Sequence, residues 1–325
     1  MENGSRHVLQ KLYAHVETMR PYTLFWCGLV SLTGSVVAAR TLPPSWPLVF
    51  FIPILGWIAG LYLADFSDRS LDRIQKPHRP IPSGRISPRE ALLVGGVFAA
   101  VGLALTVLLT WANILLTLLA AGLVFVYARW TKPLGLWGNL TRGMLTLVTF
   151  IFGVAAVLPF QHLSVSLWAL AAVFFVHDMN SNIIGAMRDV SGDQAAGCRT
   201  TPVRYGMRPA LAISLGLSLV YLGLAIILVV SASLLSFPTL FFLLLALGMI
   251  LLGVMYGLLY RFVDQASPAR MLGAHELFVA ERVLFASAFV LGVLGLTGFT
   301  IALVTGSLVL TLVSQHLLRR RYELT

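Results

Sequence analysis

Charge is scarce in this chain of 325 residues, of which only 11% are charged and 58% are hydrophobic. A soluble domain carries about 25% charged residues, so this composition excludes a soluble globular protein. The apolar residues occur in repeated blocks of about 20, the length that spans a hydrocarbon core of about 30 Å. The composition therefore predicts an all-α fold, a polytopic transmembrane helical bundle.

Cysteine is scarcer still, with two residues in the chain. Cys27 lies in an apolar run and Cys198 in a polar stretch, so their surroundings differ too much to propose a disulfide. No spacing of cysteine and histidine is typical of a zinc site. The first 20 residues hold no apolar segment followed by a cleavage site, so we expect the first span to act as its own insertion signal.

Nine long apolar runs predict nine membrane spans. They cover residues 22–39, 46–64, 91–110, 112–128, 143–160, 163–184, 210–230, 237–260 and 283–303. The sequence stays apolar from Val283 to Leu318, a stretch that is too long for one span and short for two. A tenth, short or re-entrant segment therefore stays open.

The 23 lysines and arginines outnumber the 13 acidic residues and are distributed unevenly. If the spans alternate in direction, 19 of the 23 lie in the N-terminal segment or in the loops after the second, fourth, sixth and eighth spans. The positive-inside rule makes this face cytoplasmic, and we expect the membrane to be a bacterial cell membrane. Residues 319–321, all arginine, lie on the same face only if the tail adds a span, so the rule favours a hairpin there.

The first of two acidic clusters ends the second span. If that helix continues past Ala64, then Asp65, Asp68 and Asp72 are spaced i, i+3 and i+7 and share one face of the helix.

The second cluster ends the sixth span. There Asp178, Asn182, Asp189 and Asp193 are separated by four, seven and four residues, which again predicts a single helical face.

Like charges on one face repel, so protonation, basic partners or a bound cation must relieve them. Mg²⁺ takes oxygen ligands and is usually held by one or two carboxylates together with substrate phosphates. Basic residues flank both clusters: Arg69, Arg73, Lys76, Arg79, Arg85, Arg188, Arg199, Arg204 and Arg208. The combination favours a metal and diphosphate site. The simpler interpretation is that the aspartates are solvated caps or local pairs, such as Asp65 with Arg69.

Two further polar residues, His177 and Asp178, lie within the sixth span. A polar pair at membrane depth is usually functional or packed against another polar group. Asp178 is therefore a candidate for a direct role, and His177 a weaker one.

Three segments carry a resemblance to a known family. They are Lys76-Pro-His-Arg-Pro-Ile-Pro-Ser-Gly-Arg-Ile-Ser, Arg188-Asp-Val-Ser-Gly-Asp-Gln-Ala-Ala-Gly and Thr201-Pro-Val-Arg-Tyr-Gly. With the aspartates before them, they resemble the UbiA superfamily of intramembrane prenyltransferases. The resemblance extends over residues 1–325 as a single membrane domain, with one acidic motif at 64–85 and a second at 182–206. The family's first motif, Asn-Asp-x-x-Asp-x-x-x-Asp, here begins with Ala64, and a further aspartate of many members falls on Ala186.

The resemblance implies a nine-helix bundle whose central cavity is capped by cytoplasmic loops and opens sideways to lipid. It implies that both motifs bind Mg²⁺ and that the metal holds the diphosphate of an isoprenyl donor. The implied metal ligands are Asp65, Asp68, Asp72, Asp189 and Asp193. Those expected to be essential for catalysis are Asp68, Asp72, Asp189 and Asp193. The candidate diphosphate contacts are Lys76, Arg79, Lys132 and Arg188. The candidate polar residues of the cavity are Asp178, Asn182, Tyr127 and Asn139.

The resemblance thus implies Mg²⁺-dependent transfer of a prenyl group to an aromatic or another small lipophilic acceptor. The alternative within the superfamily is a terpene cyclase that acts on a C15–C25 isoprenyl diphosphate. Such cyclases tend to lose the middle aspartate of the first motif, and this chain retains it as Asp68, which favours transfer.

A transporter is disfavoured because no inverted repeat is seen and the carboxylates lie at helix ends. Topology and the phosphate site account for the basic residues, so no nucleic-acid partner is expected. The expected partners are the diphosphate substrate, membrane lipid and an acceptor that the sequence does not identify.

Overall fold

The structure, a computed structural model, describes residues 2–263 and 267–324, and these residues form helices and connecting turns without a strand. The α-helices are, in chain order, α1 Glu2–Met19, α2 Leu24–Ala39, α3 Trp46–Gln75, α4 Pro88–Thr106, α5 Trp111–Val126, α6 Leu136–Ala155, α7 Val165–Arg188, α8 Val190–Ala195, α9 Thr201–Tyr205, α10 Met207–Ser231, α11 Pro238–Phe262, α12 Pro268–Leu294, α13 Gly298–Ser314 and α14 Arg320–Glu323. Single π-helical turns follow α5, at Tyr127–Thr131, and α13, at Gln315–Arg319.

Ten helical segments of the described chain are long and apolar enough to cross a membrane. This confirms the polytopic bundle and answers the question left open at the tail, because α13 forms the tenth segment. The predicted ninth span, 283–303, is wrong in its bounds, since it straddles the turn between α12 and α13. Gly295 ends α12 with a φ of 68°, and the Thr297 side chain caps α13. α12 begins as early as Pro268, where the Ser267 side chain caps it, and it includes two buried charged residues, Glu281 and Arg282, that find partners inside the bundle.

Two helices, α2 and α12, form the centre of the bundle, and most of their residues are buried. α2 packs against α6 through glycines that let the two backbones touch. A Cβ atom on Gly153 would clash with the carbonyl oxygen of Ser31, and one on Gly34 with that of Phe150. The outer helices α4, α5, α10 and α11 expose leucine and valine side chains on their outward faces, as expected of a surface in contact with lipid.

The first acidic cluster has the predicted geometry. α3 continues past Ala64 to Gln75, so Asp65, Asp68 and Asp72 lie on consecutive turns of one helix. The second prediction is wrong in part, because α7 ends at Arg188 and the single face does not continue. Asp189 is the residue that caps α7, and Asp193 belongs to the separate short helix α8.

The ends of α3 and α7 meet at one end of the bundle. Gln75, at the end of α3, donates a hydrogen bond of 2.9 Å from its side-chain nitrogen to the carbonyl oxygen of Gly192 in α8. The two segments approach closely there, since a Cβ at position 192 would lie 2.8 Å from the Gln75 side-chain oxygen. Folding therefore brings the two acidic segments together.

We predict that Gly153→Ala lowers the thermal stability of the protein in detergent, because the added methyl group forces α2 and α6 apart. Overpacking of this kind costs about 1–3 kcal/mol. The measurement is a melting temperature, with Gly122→Ala as the matched control because nothing lies within 4 Å of a Cβ at that position. Equal melting temperatures for the two variants would contradict the packing described here.

Candidate active site

Each carboxylate of the first acidic motif is paired with a basic residue from a different part of the chain. Asp65 binds Arg20, which precedes α2, and Asp68 binds Lys132, which follows α5. Asp72 lies 2.9 Å from a guanidinium nitrogen of Arg79. Basic partners, one of the three forms of relief considered above, thus neutralise this motif in the structure.

The second acidic motif is less completely neutralised. Burial would raise the pKa of Asp189, but ion pairs with Arg188 and Lys76 hold it below its usual value. Asp193 accepts a hydrogen bond of 3.0 Å from the Thr200 hydroxyl group and forms no ion pair with any residue that the structure describes. Burial and the negative charge of Asp189 raise the pKa of Asp193 to about 6. Negative charge is therefore still unrelieved at this end of the bundle.

Three of the four predicted diphosphate contacts converge on one point. Lys76, Arg79 and Arg188 lie 2.9, 3.0 and 3.1 Å from the carboxylate of Glu323 in α14. The fourth, Lys132, is separate and contacts Asp68. The site thus has two parts, an anion-binding group formed by Lys76, Arg79 and Arg188, and the paired aspartates beside it.

Sequence reasoning missed Arg20, Tyr322 and Glu323 as residues of this site. Arg20 has a φ of 46°, in the left-handed region, where it redirects the chain between α1 and α2. Tyr322 donates a hydrogen bond to Asp65, and the guanidinium groups of Arg20 and Arg79 both lie over its ring. A signal for the two tail residues was present, because a tenth span returns the tail to the face that holds the basic loops.

The chemistry of the donor groups is suitable for Mg²⁺, which prefers carboxylate oxygens and leaves positions for water and phosphate. Among the described residues, however, no three acidic, histidine or cysteine side chains are grouped closely enough to hold a metal ion. The five predicted ligands share a region and are held by basic partners. A bound metal therefore requires some of these ion pairs to be exchanged for metal contacts.

A second polar group lies deeper in the bundle, around Asp178. Arg282 of α12 and Arg142 of α6 both bind its carboxylate, Arg142 at 3.2 Å. The guanidinium of Arg142 stacks over the Trp57 ring and that of Arg282 over the Trp26 ring. The predicted spans 143–160 and 283–303 leave both arginines just outside, in loops, whereas both lie inside helices. The buried carboxylate of Asp178 offsets the charge of both arginines. Hydropathy along the chain does not reveal this pairing, because the partners are far apart in sequence.

His177 is also packed against polar partners, which is the second of the two roles expected of it. Its Nε2 atom lies 2.9 Å from the carboxylate of Glu281 in α12, and the Tyr221 hydroxyl group donates to the same carboxylate at 3.1 Å. Sequence reasoning missed Glu281, which has no motif around it. The rings of Trp26 and Phe285 stack on His177 and exclude water.

The remaining predicted cavity residues form one chain of hydrogen bonds. The Tyr127 hydroxyl group donates to Asn182 at 3.1 Å, and Asn182 donates to Asn139 at 2.7 Å. Asn139 in turn donates to Thr201 at 3.0 Å. The chain connects the π-helical turn after α5 with α6, α7 and α9, so the predicted residues Tyr127, Asn182 and Asn139 belong together, while Asp178 belongs to the arginine pair beside them.

A groove of about 690 Å³ lies elsewhere, between α11, α12 and α13. Half of its lining residues are leucines, and Glu276 and His316 are among its polar residues. It contains none of the predicted site residues, so the predicted central cavity stays a prediction.

This arrangement of two acidic motifs beside an anion-binding group agrees with a comparison of the whole sequence. The model of the UbiA prenyltransferase family matches residues 24–281. The chain belongs to the UbiA prenyltransferase family. It is therefore a polytopic membrane enzyme that transfers prenyl groups.

Two curated relatives carry the same name. A digeranylgeranylglyceryl phosphate synthase of Pyrococcus horikoshii is 35% identical over 197 residues, which are 60% of this chain and 70% of that protein. A protein of the same name from Thermococcus gammatolerans is 36% identical over 202 residues, 62% of this chain and 72% of that protein.

Solved structures share the fold. A UbiA homologue from Aeropyrum pernix gives a TM-score of 0.69 at 19% identity and covers 83% of this chain and 97% of its own. A UbiA homologue from Archaeoglobus fulgidus, bound to GPP and Mg²⁺, gives a TM-score of 0.53 at 16% identity. The match covers 95% of this chain and 99% of that one. At these identities the likeness concerns the fold alone.

We predict that Asp178→Asn strongly destabilises the bundle, because it leaves the two buried guanidinium groups of Arg142 and Arg282 without a counter-charge. Breaking a buried ion pair costs about 3–5 kcal/mol. The measurement is the melting temperature in detergent. The control is Glu90→Gln, which removes a carboxylate from a more exposed pair with Lys11. A loss of stability no greater than that of the control would contradict the role given to Asp178.

Proposed function

We propose that this enzyme transfers the prenyl group of an isoprenyl diphosphate to a lipid acceptor with a glycerophosphate head group, and that the reaction depends on Mg²⁺. The observation that carries the proposal is the meeting of α3, α7 and α8, which sets five aspartates beside three convergent cations. The name shared by the archaeal relatives supports a glycerophosphate acceptor. This acceptor class is narrower than the one expected from the sequence, an aromatic or another small lipophilic acceptor.

The diphosphate end of the substrate is assigned to Lys76, Arg79 and Arg188. Two guanidinium groups and one ammonium group converge within about 3 Å of a single carboxylate, so they are already placed to bind anionic oxygens. Because these cations are largely buried, their attraction for a diphosphate is screened less than it is at an open surface.

The five aspartates would hold the metal. Asp68 and Asp189 are the most exposed of those that form ion pairs, and Asp193 is in no ion pair within the described part of the chain. These three are therefore the most readily available ligands. When bound, Mg²⁺ would neutralise charge on the departing diphosphate. A cation here would also relieve the repulsion that raises the pKa of Asp193.

The chemical step breaks the bond between the allylic carbon and the diphosphate oxygen, and the electron pair leaves with the diphosphate. Lys76, Arg79 and Arg188 stabilise the negative charge that develops on that oxygen. The acceptor hydroxyl oxygen then bonds to the allylic carbon, and its proton passes to the released diphosphate. The apolar bundle keeps water from competing with the acceptor.

The orientation in the membrane is part of the same proposal. The tenth span returns residues 319–321 to the face that holds the other basic loops, which fits the positive-inside rule and supports a cytoplasmic site. The expectation of a bacterial membrane has no such support, since the relatives named above are archaeal.

We predict that Asp68→Ala and Asp193→Ala each reduce Mg²⁺-dependent release of diphosphate by on the order of 10²–10³-fold, as expected when charge stabilisation of the leaving group is lost. The measurement is diphosphate released by protein in detergent supplied with an isoprenyl diphosphate and acceptor. Glu90→Ala, a carboxylate outside the site, serves as the control. Full activity in either aspartate variant would overturn the assignment of metal ligands.

We also predict the class of product. With a prenylated glycerol phosphate as acceptor and isoprenyl diphosphates of increasing length as donors, mass spectrometry of the products should find the doubly prenylated lipid. A cyclic hydrocarbon formed without acceptor would favour the cyclase alternative. Prenylation of an aromatic acceptor alone would overturn the choice of a glycerophosphate.

A further inference from the structure

The last helical turn, α14, folds back onto the site. One carboxylate, that of Glu323, meets all three cations of the anion-binding group, and the residue is only 8% exposed. Lys76 and Arg188 also contact Asp189, and Arg79 also contacts Asp72. Glu323 is thus the one anion common to the three cations among the described contacts.

Tyr322, the preceding residue, covers the neighbouring acidic motif. Its hydroxyl group donates to Asp65, and its ring is within 4.5 Å of the guanidinium carbons of Arg20 and Arg79. The residue is almost fully buried. Two adjacent side chains of α14 therefore engage both parts of the site, the cations proposed for the diphosphate and a carboxylate proposed for the metal.

The point at which α14 is attached is also defined. α13 passes into the π-helical turn Gln315–Arg319, and π-helical turns of this kind occur frequently at functional sites. Arg319 is held by the side chain of Gln315 and by His275 of α12, which lies 2.6 Å from a guanidinium nitrogen. Tyr322 and Glu323 lie beyond this anchor, so they can leave the site without displacing α13.

We infer that α14 is an internal occupant of the diphosphate site, in which Glu323 takes the place of the substrate's anionic oxygens and is displaced when an isoprenyl diphosphate binds with Mg²⁺. The inference rests on the proposed function, since it assigns the same three cations to the diphosphate. The physical basis of the displacement is electrostatic repulsion. A carboxylate and a multiply charged diphosphate that both lie within about 3 Å of these cations repel each other.

This exchange has a measurable consequence for affinity. A ligand that binds only the open state has its apparent affinity reduced by the fraction of molecules in that state. Weakening the contact of Glu323 therefore increases the affinity for a diphosphate, whereas a residue that merely builds the site would decrease it when removed. The sign of the change separates the two roles.

The test is binding of inorganic pyrophosphate with Mg²⁺ to the full chain in detergent, measured by calorimetry. We expect Glu323→Gln to bind about tenfold more tightly than the unchanged protein, as for a site that is open in about one molecule in ten. Glu90→Gln is the matched control, since it makes the same chemical change on the ion pair with Lys11 and should leave the affinity unchanged. Equal or weaker binding by Glu323→Gln would overturn the inference.

A second measurement needs no variant. Hydrogen exchange of residues 320–324, which lie beyond the anchor, should become faster when Mg²⁺ and pyrophosphate are added, because displaced residues lose their protection. Exchange that is unchanged or slower would overturn the inference.

Failure of the proposed function has a different outcome in the same experiments. If pyrophosphate with Mg²⁺ binds to neither the unchanged protein nor Glu323→Gln, the assignment of the three cations to a diphosphate is wrong. If it binds to both with the same affinity, the assignment stands and the displacement of α14 is wrong.

Discussion

The pairing of buried charges is the constraint on which the arrangement of this protein depends. An ionised group inside a bundle of apolar helices costs several kcal/mol unless a counter-charge meets it. Asp178 therefore receives two arginines from different helices, and Asp65, Asp68 and Asp72 each receive a basic partner from outside α3. These pairs join segments that are remote in sequence and thereby define the site.

The pairs are of two kinds, which differ in what can replace them. Around Asp178, aromatic rings cover the arginines, and this group is suited to hold helices together in one arrangement. At the end of the bundle, the lysines, arginines and aspartates lie on the last turns of α3 and α7, in loops and in the short helix α8. There the proposed metal ion or diphosphate can replace one partner of an existing ion pair. Glu323 is an example of such a replaceable partner, since its one carboxylate pairs with the three cations that would bind the proposed substrate.

Particular residues show how far sequence reasoning extends. The spacing of Asp65, Asp68 and Asp72 predicted their common face correctly, because α3 is one uninterrupted helix and spacing along a helix determines direction. The same reasoning was wrong for Asp189 and Asp193, because α7 ends at Arg188 and the short helix α8 follows it. It was also wrong for Arg142 and Arg282, which hydropathy placed in loops, because the counter-charge that permits their burial lies far away in the sequence.

The sequence alone determined the membrane bundle, the family and the types of residue in the two acidic motifs, since composition, length of apolar runs and local spacing are properties of the chain itself. Only the tertiary structure decided which charges meet. The tenth span returned α14 to the site, and neither Glu323 on the three cations nor Glu281 on His177 has a local motif. An ion pair depends on the distance between two atoms in space, which the order of residues does not contain until the helices have packed.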